Sequence, residues 1–283
     1  MRCSPRSTGG PAWAASQLAS SAHSALGDDA LKDFDNAGWV VDLPQSIQPA
    51  WLQRIRAIRL ADRLAENQQL DPPTRRFDHF VNEVPAPPVF AAEGPAVLAA
   101  WTGYLAALRT YHRHDLRLPT LADHRTMLDR LSGALFQLVP FLSPVQFEAI
   151  RALGALDQFF NNLRDLAEDA AHGICYFPDD MLARAGLRRE DVLGDGWRSA
   201  AGWPKLMRFW LDEYLPELER RTVPFDACDD LHPSVARLRS ECRARYLRIL
   251  KRFRVLGFDF RRFAEDYWRE VRERAEFAAN PSC

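Results

Sequence analysis

The stretch that decides the fold spans residues 143–178 and reads SPVQFEAIRALGALDQFFNNLRDLAEDAAHGICYFP. Ser143 can cap a helix whose first turn holds Pro144, a position where the missing N–H costs nothing. Gly173 can end that helix in the left-handed conformation, and Pro178 follows shortly afterwards. No proline interrupts the helix in between. We therefore expect one continuous helix of about 28 residues, roughly 42 Å long.

At about 100° per residue, this helix separates into an apolar and a polar face. The apolar residues, expected in a core, are Leu153, Leu156, Phe159, Phe160, Leu163, Leu166 and Ala170, and the polar ones are Gln158, Asn161, Asp165, Glu168, Asp169 and His172. Asp165 and Asp169 are four residues apart, so their like charges repel each other. A divalent cation such as Mg²⁺, which accepts carboxylate and phosphate oxygens, would offset that repulsion. The alternative is an amphipathic helix with a solvated acidic face.

The order of residues in this stretch resembles the second aspartate-rich motif of the squalene/phytoene synthase family. That motif usually reads Q-x-x-N-I-L-R-D-x-x-E-D-x-x-x-G-R-x-Y-x-P, and its counterparts here are Gln158, Asn161, Leu163, Arg164, Asp165, Glu168, Asp169, Gly173, Tyr176 and Pro178. Ile174 stands where the family has its second arginine. The similarity continues through residues 180–187 and 190–193. A match this long and in register is strong evidence for the family and weaker evidence for the particular reaction.

A second acidic stripe lies on a helix expected from about Pro49 to Asn67. Its Arg59, Asp62 and Glu66 share one face, and this segment resembles the first motif of the family, C-R-x-x-D-D-x-x-D. Arg63 replaces the second aspartate of that motif, and glutamate replaces the last one. The apolar face is expected to comprise Ala57, Leu60, Ala61 and Leu64. The alternative is a surface helix in which acidic and arginine side chains form salt bridges.

Two further helices are expected in the middle of the chain. The first runs from Leu121 to Val139, and its position fits a family helix that commonly reads Y-C-Y-R-x-A-G-x-V-G. The arginine and glycine of that pattern remain in register as Arg130 and Gly133, but Asp129 occupies the place of a tyrosine. The second carries an aromatic stripe, expected to be core or, alternatively, a wall for a prenyl chain or carbocation; its members are Trp203, Phe209, Trp210, Tyr214 and Leu218.

A basic helix over residues 234–256 is followed by a segment that looks like the late Y-x-x-I-L…G-Y-D-x…R tract of the family. The resemblance makes Tyr246 and Arg262 candidates to contact a diphosphate, with Arg261 as the other choice for the arginine. The alternative is a basic helix that faces solvent or a membrane surface.

The composition narrows the class of protein. With 47% hydrophobic and 11% aromatic residues, the 283-residue chain can bury a sizeable core. Its net charge of −1 supplies no basic field for nucleic acid. The five cysteines are scattered and lack a C-x-x-C pair, which predicts no disulfide framework or zinc site and favours a reducing, cytoplasmic compartment. No apolar run reaches the roughly 18 residues that span a bilayer, so we expect any membrane contact to be peripheral.

Residues 1–27 are rich in serine, alanine and glycine and contain no acidic residue. We expect a disordered tail there, with a transit peptide as the alternative. Residues 28–283 are expected to form one helical domain.

The resemblance implies an all-α helix bundle of the isoprenoid-synthase type with a central apolar cavity. It also implies two or three Mg²⁺ ions held by carboxylates of two facing helices and by substrate diphosphate. The implied metal ligands are Asp62, Glu66, Asn161, Asp165 and Asp169. The four carboxylates and Tyr176 are the implied catalytic groups, and the implied substrate-binding residues are Arg59, Gln158, Arg164, Tyr246 and Arg262.

The leading hypothesis is Mg²⁺-dependent head-to-head coupling of two isoprenyl diphosphates to a squalene-type or phytoene-type product. The intact second motif favours this reaction, whereas the altered first motif counts against it. One alternative is an enzyme that ionises a single prenyl diphosphate and then cyclises, rearranges or hydrates it. Another is a relative of low activity that binds a prenyl lipid or partners a true synthase. Substrate length, oligomeric state and use of NADPH stay open, since no dinucleotide fingerprint is present.

Overall fold

The computed structural model describes residues 28–279, and no strand occurs in that range. Its helices begin with α1 (Asp28–Ala37), α2 (Gln48–Leu70), α3 (Arg76–Glu83), α4 (Pro88–Ala91), α5 (Pro95–Tyr111), α6 (Leu121–Leu128), α7 (Ala134–Phe136), α8 (Pro144–Arg164) and α9 (Leu166–Ala171). They continue with α10 (Asp179–Ala185), α11 (Arg189–Leu193), α12 (Gly202–Arg208), α13 (Leu215–Arg221), α14 (Val223–Asp226), α15 (Pro233–Val255) and α16 (Phe260–Ala279). Two π-helical segments lie at Asp129–Gly133 and Phe209–Tyr214. The predicted all-α class is confirmed.

The described chain forms two compact units, one of residues 28–48 and 265–279 and the other of Pro49–Ala264. The tail predicted for residues 1–27 lies outside the described residues, and the single domain over 28–283 stays a prediction. Between residues 28 and 279, no helix combines the length and the apolarity needed to cross a bilayer. Peripheral contact with a membrane also stays a prediction.

The smaller unit contains buried apolar residues. Leu31 of α1 is buried, as are Trp39 and Val40 in the 3₁₀ turn that follows that helix. The hydroxyl of Tyr267 on α16 donates a hydrogen bond to Asp35 on α1 at 2.8 Å. A polar contact therefore ties the two helices of this unit together.

The larger unit is built around α8, which begins where the sequence predicts. Ser143 Oγ accepts the backbone N–H of Gln146 at 3.4 Å, and Gln146 Oε1 accepts the N–H of Ser143 at 3.0 Å. This reciprocal pair is a capping box, and it satisfies two of the amides that a helix start leaves open. All seven predicted apolar positions are buried, namely Leu153, Leu156, Phe159, Phe160, Leu163, Leu166 and Ala170.

The end of this helix is also as predicted, but its middle is not. Gly173 has φ +76°, and the N–H of Ile174 donates to the carbonyl of Asp169 at 2.8 Å, which is a Schellman motif. The expected continuous helix of about 28 residues is wrong, because Asp165 interrupts it between α8 and α9 with φ −93° and ψ 3°. Aspartate is a weak helix former that bonds to local groups instead, and apolar periodicity does not register such a bend.

The helix α8 approaches the π-helical segment Asp129–Gly133 very closely at Gly154. A Cβ atom placed on Gly154 would lie 2.1 Å from the carbonyl oxygen of Ser132 and 2.9 Å from Cβ of Phe136. Both are nearer than any real Cβ contact, and the first neighbour is backbone that cannot rotate away. Glycine is therefore required at this crossing, because its missing side chain lets the two backbones touch.

We predict that Gly154→Ala lowers the free energy of unfolding by about 1–3 kcal/mol or more, since about 1–3 kcal/mol is the usual cost of overpacking. Urea denaturation followed by circular dichroism would measure this change. The matched control is Gly103→Ala on the exposed side of α5, where an added Cβ meets nothing within 4 Å. That control should be neutral or stabilising by up to about 1 kcal/mol, since alanine favours helix. Equal losses for the two variants would contradict the close approach.

The predicted aromatic stripe packs around a buried histidine. Trp203, Trp210, Tyr214 and Leu218 are buried, and Phe209 is partly exposed. The ring of His124 on α6 packs edge-on against Trp210 with centroids 4.9 Å apart. Its Nδ1 lies 3.1 Å from the Tyr214 hydroxyl. Burial, with a smaller contribution from the neighbouring Arg125, lowers the pKa of His124 to about 3.

This lowered pKa predicts a loss of stability in mild acid. Unfolding returns His124 to an ordinary pKa of about 6.5, so between that pH and about 3 the unfolded chain binds a proton that the folded chain does not. The free energy of unfolding should then fall by up to about 1.4 kcal/mol per pH unit as the pH decreases. His124→Gln should reduce that slope in urea titrations between pH 7 and about 5. Equal slopes for both proteins would rule out this contribution.

Candidate active site

The first wall of the candidate site is one face of α2. Asp62 and Glu66 are one turn apart and partly buried, with Arg59 on the same face and Arg63 exposed. The hydroxyl of Tyr104 on α5 lies 3.4 Å from Asp62 Oδ1 in a long hydrogen bond. Burial raises the pKa of Tyr104 well above 10, and Asp62 and Glu66 add to the increase. The tyrosine therefore stays protonated and can donate a hydrogen bond to the Asp62 carboxylate.

The predicted apolar face of α2 is right at Ala61, which is buried, and only partly right at Ala57 and Leu64, which are partly buried. The apolar face was predicted to include Leu60, but that side chain is 52% exposed. The buried positions are Trp51, Arg54, Ala61, Ala65 and Gln69. The packed face therefore combines a tryptophan and two alanines with two polar residues, Arg54 and Gln69, which apolar periodicity alone does not detect.

The second wall is formed by the polar side of α8 and α9. Asn161, Asp165 and Asp169 are all partly buried rather than exposed. The Arg164 guanidinium holds the Asp165 carboxylate with two hydrogen bonds of 2.8 Å, from Nε to Oδ1 and from Nη2 to Oδ2. The side chains of Arg164 and Asp165 are only 2% and 16% exposed. This enclosure argues against a simply solvated acidic face, although His172 at the end of the face is exposed.

Tyr176 connects the two walls electrostatically. It is partly buried, and burial raises its pKa well above 10. The charge of Asp169 on α9 raises that pKa further, followed by Glu66 and then Asp62 on α2, while a hydrogen bond with Gln69 lowers it. Carboxylates of both motifs therefore raise the pKa of this phenol. The structure therefore brings Asp62, Glu66, Asp169 and Tyr176 into one neighbourhood.

Two predicted substrate-binding residues are engaged in the protein interior. Gln158 Oε1 accepts a hydrogen bond from Ser132 Oγ at 2.6 Å, and its Nε2 donates to Asn162 Oδ1 at 2.8 Å. Tyr246 on α15 is buried, and its ring stacks on Phe160 with centroids 4.4 Å apart. Its hydroxyl donates a hydrogen bond to Asp157 Oδ1 at 2.7 Å, one helical turn before Asn161.

Arg262 occupies a different environment. Its side chain is exposed near the start of α16, and its backbone N–H donates to Asp259 at 3.0 Å. We find no hydrogen bond or ion pair between Arg262 and either wall within residues 28–279. The neighbouring Arg261 bonds to the carbonyl of Gly194 at 3.1 Å and pairs with Asp195. A role for either arginine in diphosphate binding stays a prediction.

The donor set of the second wall fits a hard divalent cation. Asn161 Nδ2 donates to Asp157 at 3.0 Å, whereas Asn161 Oδ1 is buried and has no hydrogen-bond partner among the described residues. A buried acceptor without a partner costs about 1–3 kcal/mol, and a cation would supply the missing partner. No group of three or more His, Cys, Asp and Glu side chains between residues 28 and 279 is gathered closely enough to hold a metal. Mg²⁺ commonly takes one or two carboxylates plus substrate phosphate oxygens, so a preformed cage is not required.

Asp129, which occupies the place of a family tyrosine, lies in an ion pair. Arg221 of α13 bonds to its carboxylate, and both side chains are about one-third exposed. The π-helical segment also places the guanidinium of Arg130 over the ring of Tyr111 at 5.8 Å. The acidic replacement is therefore neutralised locally by an arginine from another helix.

Three residues beside the walls were not predicted from the sequence. Tyr104 places a hydroxyl among the buried apolar residues of α5, and Gln69 lies one turn after Glu66. Asp157 is a carboxylate in a run of apolar residues on α8. A polar residue within an apolar stretch is the signal that could have found Tyr104 and Asp157, because such residues need a partner when buried.

Comparison with known proteins identifies the family of the chain. The squalene/phytoene synthase family model matches residues 43–272, and the chain belongs to this family. Phytoene synthase of Narcissus pseudonarcissus is 49% identical over 57 residues, which is 19% of this chain and 14% of the relative. Phytoene synthase 1 of Arabidopsis thaliana is 46% identical over 57 residues, with the same coverage.

A longer alignment joins the chain to phytoene synthase 2 of Oryza sativa subsp. japonica. It covers 94 residues at 34% identity, or 23% of this chain and 24% of the relative. The chain thus spans a quarter or less of the length of each of these curated relatives.

We predict that Arg164→Lys destabilises the protein by about 1–3 kcal/mol, because an ammonium cannot reproduce the two parallel bonds to the enclosed Asp165. The matched control is Arg188→Lys, since Arg188 pairs with Asp191 at 3.5 Å but is 78% exposed. That control should cost less than about 0.5 kcal/mol. Urea denaturation of both variants provides the comparison, and a small loss for Arg164→Lys would mean that the enclosed pair does not stabilise the bend.

Proposed function

We propose that this protein is an Mg²⁺-dependent prenyltransferase that joins two isoprenyl diphosphates head-to-head, to a phytoene-type or squalene-type product. The observation that carries the proposal is that both motifs hold partly buried carboxylates against polar partners. Asp62 lies 3.4 Å from the Tyr104 hydroxyl, and the Arg164 guanidinium holds Asp165 at 2.8 Å. Family membership supports the same chemistry, as does the name phytoene synthase carried by the relatives.

The first chemical task is to separate diphosphate from an allylic carbon. Mg²⁺, when bound, supplies positive charge to the leaving oxygens as a Lewis acid and template. In this chain Asn161, Asp165 and Asp169 would hold it from one side, with Asp62 and Glu66 on the other. These oxygen donors suit a hard cation better than nitrogen or sulfur ligands would.

The remaining polar groups would orient the substrate and the ligands. Tyr176 and Tyr104 stay protonated because burial and neighbouring carboxylates raise their pKa values. Each phenol can therefore donate a hydrogen bond to a diphosphate oxygen or to a carboxylate throughout the reaction. Arg59 lies on the face of α2 that carries Asp62 and can add a guanidinium contact to the same oxygens. Arg164 has a different role, because it holds Asp165 in place.

One observation favours a second candidate, a reaction of one prenyl diphosphate. Arg63 occupies the place of an aspartate in the first motif and is exposed, so α2 offers two motif carboxylates rather than three. A wall with fewer ligands would bind one diphosphate more readily than two. Such an enzyme would release a cyclised, rearranged or hydrated product with the carbon number of its substrate.

A product assay tests the proposal. The purified protein is incubated with Mg²⁺ and either farnesyl or geranylgeranyl diphosphate, and the extract is analysed by mass spectrometry. We expect a C30 or C40 hydrocarbon. Asp165→Ala and Asp169→Ala should each reduce its formation by at least about 100-fold, the scale on which removing a charge-stabilising group slows catalysis. Asp212→Ala, which removes an exposed carboxylate paired with Arg254, is the control and should change the rate little.

The other outcomes have definite meanings. Products limited to C15 or C20 would replace coupling with the single-substrate reaction. No product from a folded protein would point to prenyl-lipid binding or to a partner role. Full activity in the Asp165→Ala and Asp169→Ala variants would overturn the assignment of the second wall.

A further inference from the structure

Asp157 lies one helical turn before Asn161 on α8, and its side chain is only 7% exposed. Three groups donate hydrogen bonds to its carboxylate. Arg245 and the Tyr246 hydroxyl, both on α15, donate to Oδ1, the hydroxyl at 2.7 Å. Asn161 Nδ2 donates to Oδ2 at 3.0 Å. The carboxylate is thus held from α15 on one oxygen and contacts the asparagine with the other.

This contact determines which end of the Asn161 amide faces Asp157 and which end is left for another partner. The two ends of an asparagine amide have nearly the same shape, so the hydrogen-bond partners decide its orientation. The Asp157 carboxylate, paired with Arg245, can only accept hydrogen bonds. It therefore selects the NH₂ end of Asn161 and turns Oδ1 away. That oxygen is buried and has no hydrogen-bond partner among residues 28–279.

We propose that Asp157 is a positioning residue that orients Asn161 Oδ1 as a metal ligand. The inference rests on the proposed function, which makes Asn161 one of the oxygen donors to Mg²⁺. It adds a residue that acts on a metal ligand without contacting the metal. Groups that orient metal ligands commonly influence metal affinity by about 10–100-fold. Arg245 and Tyr246 hold the Asp157 carboxylate in place through their hydrogen bonds to Oδ1. Tyr246 then acts behind the ligand and does not contact diphosphate.

The competing explanation is that Asp157 only balances the buried charge of Arg245. Removing one member of a buried pair is costly whatever its other roles, so a loss of stability cannot separate the two explanations. The separating property is the orientation of the Asn161 amide. An experiment must change that orientation and then restore a ligand oxygen without restoring the ion pair.

Two substitutions achieve this. In Asp157→Asn, the oxygen of the new amide can accept hydrogen bonds from Arg245 and Tyr246. Its NH₂ group then faces Asn161, so the Asn161 amide turns its oxygen toward position 157 and its own NH₂ group away from it. In the exchanged double variant D157N/N161D, the carboxylate at position 161 has two equivalent oxygens and needs no orienting partner. Both variants lack the Asp157 charge opposite Arg245. They differ in whether an oxygen is available at position 161.

The measurement is calorimetric binding of inorganic pyrophosphate to the full chain in excess MgCl₂, repeated at several Mg²⁺ concentrations. We expect Asp157→Asn to weaken binding by at least about 10-fold at limiting Mg²⁺. The double variant should return to within about threefold of the wild type, because the two positions are coupled through one contact. Tyr267→Phe, the matched control, removes a tyrosine hydroxyl bond to a different carboxylate, that of Asp35 at 2.8 Å, and should leave the affinity within about threefold of the wild type.

A further variant tests the inference in a protein that keeps the buried ion pair and is therefore expected to fold. Asp157→Glu keeps the negative charge for Arg245 but moves the carboxylate by about one methylene. It should weaken Mg²⁺-dependent binding by about threefold or more while retaining cooperative melting. Binding equal to that of the wild type in Asp157→Glu and Asp157→Asn would overturn the inference. A double variant as weak as Asp157→Asn would overturn it as well.

The experiment also distinguishes this inference from the proposed function. If the wild type binds pyrophosphate in a Mg²⁺-dependent way but does not respond to Asp157, only the positioning role is wrong. If the wild type does not bind magnesium pyrophosphate, the metal site of the proposed function fails and the positioning role fails with it.

Discussion

Asp157 is buried and the motif carboxylates Asp62, Glu66, Asp165 and Asp169 are partly buried, and the surrounding polar structure follows from that constraint. A charge removed from water is tolerated only with a partner. Asp165 has the Arg164 guanidinium, Asp157 has Arg245 with Tyr246, and Asp62 has the Tyr104 hydroxyl. These partners immobilise the acids, and immobilised oxygens are what a hard cation and a diphosphate require.

Backbone irregularities place these groups. Gly154 lets α8 approach the π-helical segment at Ser132, whose hydroxyl then reaches Gln158. The bend at Asp165 separates Asn161 on α8 from Asp169 on α9 while the backbone hydrogen bonds continue on both sides of it. Single-turn π segments are frequent at functional sites. The combination turns a straight amphipathic helix into a wall with defined ligand positions.

The departures from the family pattern are each accommodated locally. Asp129, in the place of a tyrosine, is paired with Arg221, so its charge is balanced before it can act on a substrate. Ile174, in the place of an arginine, is buried beside the helix end that Gly173 terminates. Arg63 is exposed, which leaves Asp62 and Glu66 as the motif carboxylates of α2. The predicted ligand positions of the second motif, Asn161, Asp165 and Asp169, are retained, so the altered ligand positions lie in the first motif.

Sequence alone determined the features that depend on neighbours along the chain. Apolar periodicity identified the buried face of α8, and the Ser143 cap and the Gly173 terminator lie where local chemistry predicts them. The order of polar residues identified the family. Only the tertiary structure decided the rest, because it depends on groups far apart in sequence. The contact of Ser132 with Gly154 and the meeting of both motifs at Tyr176 are of this kind. The orientation of Asn161 likewise depends on Arg245 and Tyr246, more than 80 positions away, which only packing brings to Asp157.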